Sequence, residues 1–233
     1  MARRKYSEQQ DPSIGLGVYS LPEVALYTQL HPSRVRAWFK GRSDGAGRGL
    51  VFRSDYRSIG RRQCVSFHDL VDVLVAGQFR EFGVTLRVVR KAYAILQKQL
   101  DTKHPFCHNE LYTDGKQIII ATADEVGDKR LTDVLTKQRL FSQILEYLKA
   151  IDYDQASLLA ARWRIAQGVV IDPTVAFGKP VIESTGVTTF VIANAFAAND
   201  KDAGLVADLF NIRKSDVLHA VEFEKRYRTK KAA

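Results

Sequence analysis

Apolar side chains recur every three or four positions through much of the first half of the chain, the period of helices with one buried face. In "SLPEVALYTQL" the stripe is Val24, Ala25, Tyr27 and Leu30. Ser20 and Glu23 make a capping box, so a helix starts at Leu21 with Pro22 in its unbonded first turn. "HPSRVRAWFK" repeats the design. His31-Pro32 opens it, and Val35, Trp38 and Phe39 fall at i, i+3 and i+4, which turns Ser33, Arg34, Arg36 and Lys40 outward. "GRSDGAGRG" has too many glycines for either regular structure and is a loop. Two β-prone runs follow, Leu50 to Arg53 and Gln63 to Val65. A hairpin joining them would be a basic wing carrying Arg53, Arg57, Arg61 and Arg62.

Two longer amphipathic runs come next. Phe67 to Phe82 carries Leu70, Val71, Val73, Leu74 and Phe79; Thr85 is a candidate N-cap for a helix burying Val89, Ala92, Tyr93, Leu96 and Leu100, with Gly83 between the two. Asp114-Gly115 inside "LYTDGKQIIIAT" signals a two-residue hairpin, and a helix is expected from about Thr136 to Ala150. From Trp163 the pattern changes to short strand-like runs broken by Pro173, Gly178 and Pro180. Three compact helices then follow, near Thr189 to Ala198, Asp202 to Phe210 and Lys214 to Tyr227, with Asn199 as a left-handed terminator of the first. The expected division is a basic arm (1–12), a helix-turn-helix with wing (13–66), a helical extension with a hairpin (67–150), a C-terminal unit (151–228) and a tail (229–233).

Charge sharpens the picture. Residues 1–100 hold 17 Lys+Arg against 8 Asp+Glu and residues 101–233 hold 18 against 18, so the whole net charge of +9 sits in the first half. A basic module facing a polyanion, joined to a neutral module with another task, is the arrangement this predicts. Arginine outnumbers lysine there, which suits bidentate phosphate contacts. Two cysteines, Cys64 and Cys107, are too few for a disulfide framework. The polar start and the lack of any window near the roughly 18 apolar residues of a membrane span predict a cytoplasmic protein without a membrane partner.

A helix-turn-helix offers its second helix to a major groove. Ser33, Arg34 and Arg36 near that helix start are the candidates for base edges. Lys40, Arg42, Arg53, Arg57, Arg61 and Arg62 complete the basic face, and the arginines at 42, 53, 57, 61 and 62 are the candidates for phosphates. The order of helix-turn-helix, wing and "SFHDLVDVLVAGQFREFGVTLRVVRKAYAIL" resembles the MerR-like family of DNA-binding domains over residues 15–100, on Gly83-Val84-Thr85-Leu86 and Val89-Arg90. His31 stands where that family more often has serine or threonine.

"IDPTVAFGKPVIESTGVTTF" and the helices after it resemble domain-of-unknown-function family 433, on Asp172, Pro173, Gly178, Lys179, Pro180, Val181, Ile182 and Thr185; Ser184 and Gly186 depart from its pattern. Together the two resemblances imply a mainly α fold with small β-hairpins: a winged helix-turn-helix of MerR-like type plus a C-terminal three-helix, helix-turn-helix-like domain. Longer members of this second family with a MerR-like front half resemble antitoxins of VapBC-type modules. That implies a DNA-binding antitoxin and autorepressor, with operator DNA and a PIN-like ribonuclease toxin as partners, as a homodimer or a larger hetero-oligomer with the toxin. Lys179, Pro180, Arg226 and Arg228 are the candidate toxin contacts. A MerR-like regulator or architectural DNA-binding protein without a toxin is the alternative, and an adaptor meeting an acidic protein is a third. His104, Cys107, His108 and Glu110 in "HPFCHNE" lack the second ligand pair of a structural zinc site, so neither metal nor cofactor is expected. Asp124, Glu125 and Asp128 have no basic or histidine partner at a telling spacing, so no enzymatic activity is expected either.

Overall fold

The computed structural model describes residues 16–40, 50–58, 62–81, 83–113 and 146–231, side chains of 112–113 and 228–231 excepted. The hairpin expected at Asp114-Gly115, most of the helix before residue 146, the N-terminal arm and the glycine-rich loop lie outside these residues.

A short strand β1 (Tyr19–Ser20) leads into α1 (Leu21–Thr28), and the capping box forms: Glu23 N–H donates to Ser20 Oγ at 3.4 Å and Ser20 N–H to Glu23 Oε2 at 2.8 Å. Gln29 ends α1 in a left-handed conformation (φ 59°). In α2 (Pro32–Lys40) the buried stripe is Val35, Trp38 and Phe39. His31 stands in for the usual hydroxyl cap, its Nδ1 accepting from the Ser33 N–H at 3.3 Å and lying 2.7 Å from Ser33 Oγ.

The wing ribbon is a correction. β2 (Cys64–Val65) pairs antiparallel with β1, Tyr19 opposite Val65 and Ser20 opposite Cys64, and residues 50–53 form no strand. The Val51 and Phe52 N–H groups instead donate to the Trp38 carbonyl at the end of α2, at 2.9 and 3.2 Å. Phe52 packs its ring against Trp38, Phe39 and Tyr93, with centroids 5.9, 5.7 and 5.0 Å away. Val51 and Phe52 therefore serve the core beneath α2, not a sheet face, while Leu50 stays exposed.

α3 (Phe67–Glu81) lies at the centre, buried from Leu70 through Gly77, and α4 (Leu86–Gln99) packs on it through Val88, Val89, Tyr93 and Leu96. Thr85 caps α4, accepting from the Val88 N–H at 3.4 Å. A 3-10 turn (Pro105–Cys107) and α5 (Asn109–Thr113) follow.

The second half is built on a four-stranded antiparallel meander: β3 (Ile151–Tyr153), β4 (Ala160–Ala166), β5 (Val169–Ile171) and β6 (Pro180–Ile182), in that order. The strand-like runs expected from Trp163 take in the second half of β4, whose start at Ala160 the pattern of "AARWRIA" hid. Ala160 and Trp163 point inward while Arg162 and Arg164 pair outward with Asp152, so charge interrupts the apolar run expected of a strand. α6 (Thr189–Ala198), α7 (Ala203–Phe210) and α8 (Lys214–Lys231) stand where periodicity placed them. Asn199 is not left-handed (φ −115°), since its side-chain amide donates to the Ala195 carbonyl at 2.8 Å; the left-handed residues here are Asp200 and Lys201, and Asn211 plays that part after α7.

One buried cluster continues across both halves. The Val18 N–H donates to the Phe177 carbonyl at 3.1 Å, Lys179 pairs with Glu23, and the rings of Tyr27 and Tyr227 meet at 6.0 Å. Gly178 (φ 79°) sits against Tyr19 so closely that a Cβ would lie 2.0 Å from the Tyr19 hydroxyl; glycine is required there by both backbone and space.

Candidate nucleic-acid interface

α2 is held from below by three apolar anchors, which leaves its other side to solvent. Ser33, Arg36 and Lys40 are exposed, as are Arg53, Arg57 and Arg62 in the segments after it. Arg34 is partly covered: its Nη1 lies 3.0 Å from Glu81 Oε1 at the end of α3, with side chains 41% and 61% exposed. A pair that wet is worth about 0–1 kcal/mol, so a phosphate or a base edge competes with it readily. Arg42 and Arg61 lie outside the described residues, as does the Arg228 side chain.

Of the expected partner contacts, Arg226 is exposed beside a cleft of about 490 Å³ between α1, α3, β4 and α8. Pro180 is buried opposite Ile171 in the sheet, and Lys179 is tied to Glu23. Lys179 fastens one half of the chain to the other while its side chain stays 43% exposed, and Pro180 is held within the C-terminal sheet.

The segment after α2 is positioned by a buried polar network that joins residues distant in the sequence. Ser66 and Asp69 form a second capping box, at the start of α3: the Ser66 N–H donates to Asp69 Oδ2 at 3.0 Å and the Asp69 N–H to Ser66 Oγ at 3.1 Å. The same Asp69 oxygen accepts from Ser54 Oγ at 3.2 Å and the Asp55 N–H at 3.1 Å, which pins residues 54–55 to α3 between Arg53 and Arg57. His104 then joins two carboxylates, with Nδ1 2.8 Å from Asp72 Oδ2 and Nε2 3.1 Å from Asp55 Oδ2. Asp72 also accepts from the Tyr93 hydroxyl at 2.7 Å and the Phe106 N–H at 3.1 Å, and Lys103 reaches Asp55.

Two signals for this network were legible. Ser66-x-x-Asp69 is a capping-box spacing, and Asp72 interrupts the apolar stripe of α3, where a carboxylate needs partners. His104 and Cys107 both turn to Asp72, and His108 Nδ1 accepts from the Glu110 N–H at 3.3 Å. Donor atoms of Asp55, Asp69 and His104 lie within 4.8 Å of one another, but hydrogen bonds within the network already engage them.

The charges in the network set its response to pH. Burial opposes a charged His104, but the hydrogen bonds it donates to Asp55 and Asp72 outweigh it and lift the imidazolium to about 10 from 6.5. Burial raises Asp69 to about 6 from 3.8, and His104, Lys103 and Ser66 hold Asp55 well below the usual carboxylate range against its own burial. A raised His104 stabilises the fold fully below about pH 6.5, and that contribution fades as pH rises to about 10; Asp69 acts in the same sense from about pH 4 to 6. Asp55 acts oppositely, its stabilisation being present above the ordinary carboxylate range and lost only in stronger acid. Thermal melts should therefore show stability declining from neutral pH toward pH 10, and His104→Gln should flatten that decline. An unchanged slope in the variant would remove His104 as its cause.

Among the described residues no helix is long and apolar enough to cross a membrane. Comparison with known proteins places the chain further. Residues 169–223 match the family described as "Protein of unknown function (DUF433)". "Putative antitoxin VapB45" of Mycobacterium tuberculosis is 25% identical over 190 residues, 73% of this chain and 78% of that protein. The X-ray crystal structure of Rv2018 from Mycobacterium tuberculosis superposes with a TM-score of 0.72 at 22% identity, covering 89% of this chain and 98% of that one, which shows a shared fold. Over most of its length, then, the chain is similar to a protein named as an antitoxin, and its segment 169–223 carries the DUF433 pattern.

Proposed function

We propose that this protein is a DNA-binding antitoxin that represses its own operon and neutralises a PIN-like ribonuclease by direct binding. The likeness to an antitoxin over 73% of the chain carries the reading. The exposed basic side of α2, with Arg53, Arg57 and Arg62 beside it, supports its DNA arm, and a C-terminal unit of balanced charge supports its protein arm. Ser33, Arg34 and Arg36 read base edges while Lys40, Arg53, Arg57 and Arg62 hold phosphates, on a homodimer that matches a two-fold operator. The protein does no chemistry of its own in this scheme.

Two measurements test the two arms separately. Co-expression with a ribonuclease encoded beside it should restore growth and yield a co-purifying complex; continued toxicity with no complex ends the antitoxin reading. Binding to the upstream promoter fragment should weaken with salt at a log-log slope of about −3.6 per protomer if Lys40, Arg53, Arg57 and Arg62 each neutralise one phosphate. A flat response would place the basic face against something other than DNA.

A further inference from the structure

Ala176, Phe177 and Gly178 are three consecutive residues with positive φ, at 47°, 55° and 79°. Glycine adopts that region freely, but a phenylalanine there is a genuine outlier. The fold gains nothing from the ring, because Phe177 is 72% exposed, more than any other large apolar side chain among the described residues. The backbone beneath it is over-determined. Thr174 N–H donates to Asp172 Oδ1 at 2.8 Å, Val175 N–H to the Asp172 carbonyl at 3.1 Å, Gly178 N–H to the Val175 carbonyl at 2.9 Å and Lys179 N–H to the Ala176 carbonyl at 3.1 Å. Strain held this firmly around a side chain that the core does not use is the signature of a pre-organised contact.

We infer that Phe177 is the anchor by which the C-terminal unit grips its protein partner, inserting into an apolar pocket of aromatic size on that partner. The inference rests on the antitoxin reading, with the ribonuclease as the partner. A rigidly presented aromatic side chain loses little freedom on docking, which is why such residues dominate interface energetics. The ring is also fixed relative to the N-terminal helices that carry the basic face. The Phe177 carbonyl accepts from Val18 directly before β1, and Lys179 pairs with the capping glutamate of α1, Glu23. Lys179 and Pro180 thus serve as the mount of the anchor.

The test uses the full chain and the ribonuclease encoded beside it, with affinity measured by calorimetry. Phe177→Ser should weaken the complex at least 30-fold while thermal stability and promoter binding stay as in the wild type. Phe177→Gly should weaken it likewise and melt no lower than the wild type, because glycine relieves the left-handed backbone. Unchanged affinity in both variants overturns the inference and leaves the antitoxin reading standing. So does loss of promoter binding at unchanged stability, which would assign the ring to the DNA arm. Failure of the wild type itself to bind the ribonuclease overturns both.

Discussion

Asp72→Ala should destabilise the protein by about 3–5 kcal/mol, the range seen when one partner of a buried ion pair is removed. Asp72 is fully buried, and its two oxygens receive the His104 imidazole at 2.8 Å, the Tyr93 hydroxyl at 2.7 Å and the Phe106 N–H at 3.1 Å. Alanine leaves all three inside the protein without that acceptor, one of them a cation whose proton is held to about pH 10. For a chain of 233 residues the melting temperature should fall on the order of 10 °C. Asp72→Asn keeps the shape and one acceptor and should lose less. A melting temperature within about 2 °C of wild type for the alanine variant would show that the network contributes nothing to stability. Because His104 also reaches Asp55, the same change should loosen residues 54–55 and, with them, the placement of Arg53 and Arg57.

The other large effect concerns DNA. Arg34→Ala with Arg36→Ala should weaken binding to the promoter fragment about 100-fold or more, since each base-edge contact contributes about 1–3 kcal/mol. Stability should barely move, because Arg36 is exposed and the Arg34–Glu81 pair is wet. Specificity should relax with affinity: the double variant should lose more against its operator than against unrelated DNA. Lys40→Ala, by contrast, should weaken binding to every sequence alike and lower the salt slope by about one. Equal losses on all sequences for the arginine variant would mean that α2 only holds the backbone of the duplex.

Local chemistry determined much of this protein. Ser20 and Glu23 start α1, Thr85 starts α4, Asp202 caps α7, and the stripe Val35, Trp38 and Phe39 fixes which side of α2 is buried. Each is a contact within four residues, so spacing along the chain is enough to reveal it. The imbalance of charge between the halves and the Gly178-Lys179-Pro180 motif were legible for the same reason. What only the tertiary structure decided was every choice among distant partners. Cys64 and Val65 pair with Tyr19 and Ser20 instead of residues 50–53, because Phe52 gains more by burial against Trp38, Phe39 and Tyr93 than in a ribbon. Asp72 finds His104 32 residues away, and Lys179 finds Glu23 across 156. Such pairings depend on which surfaces the closed core brings together, and no spacing along the chain announces them.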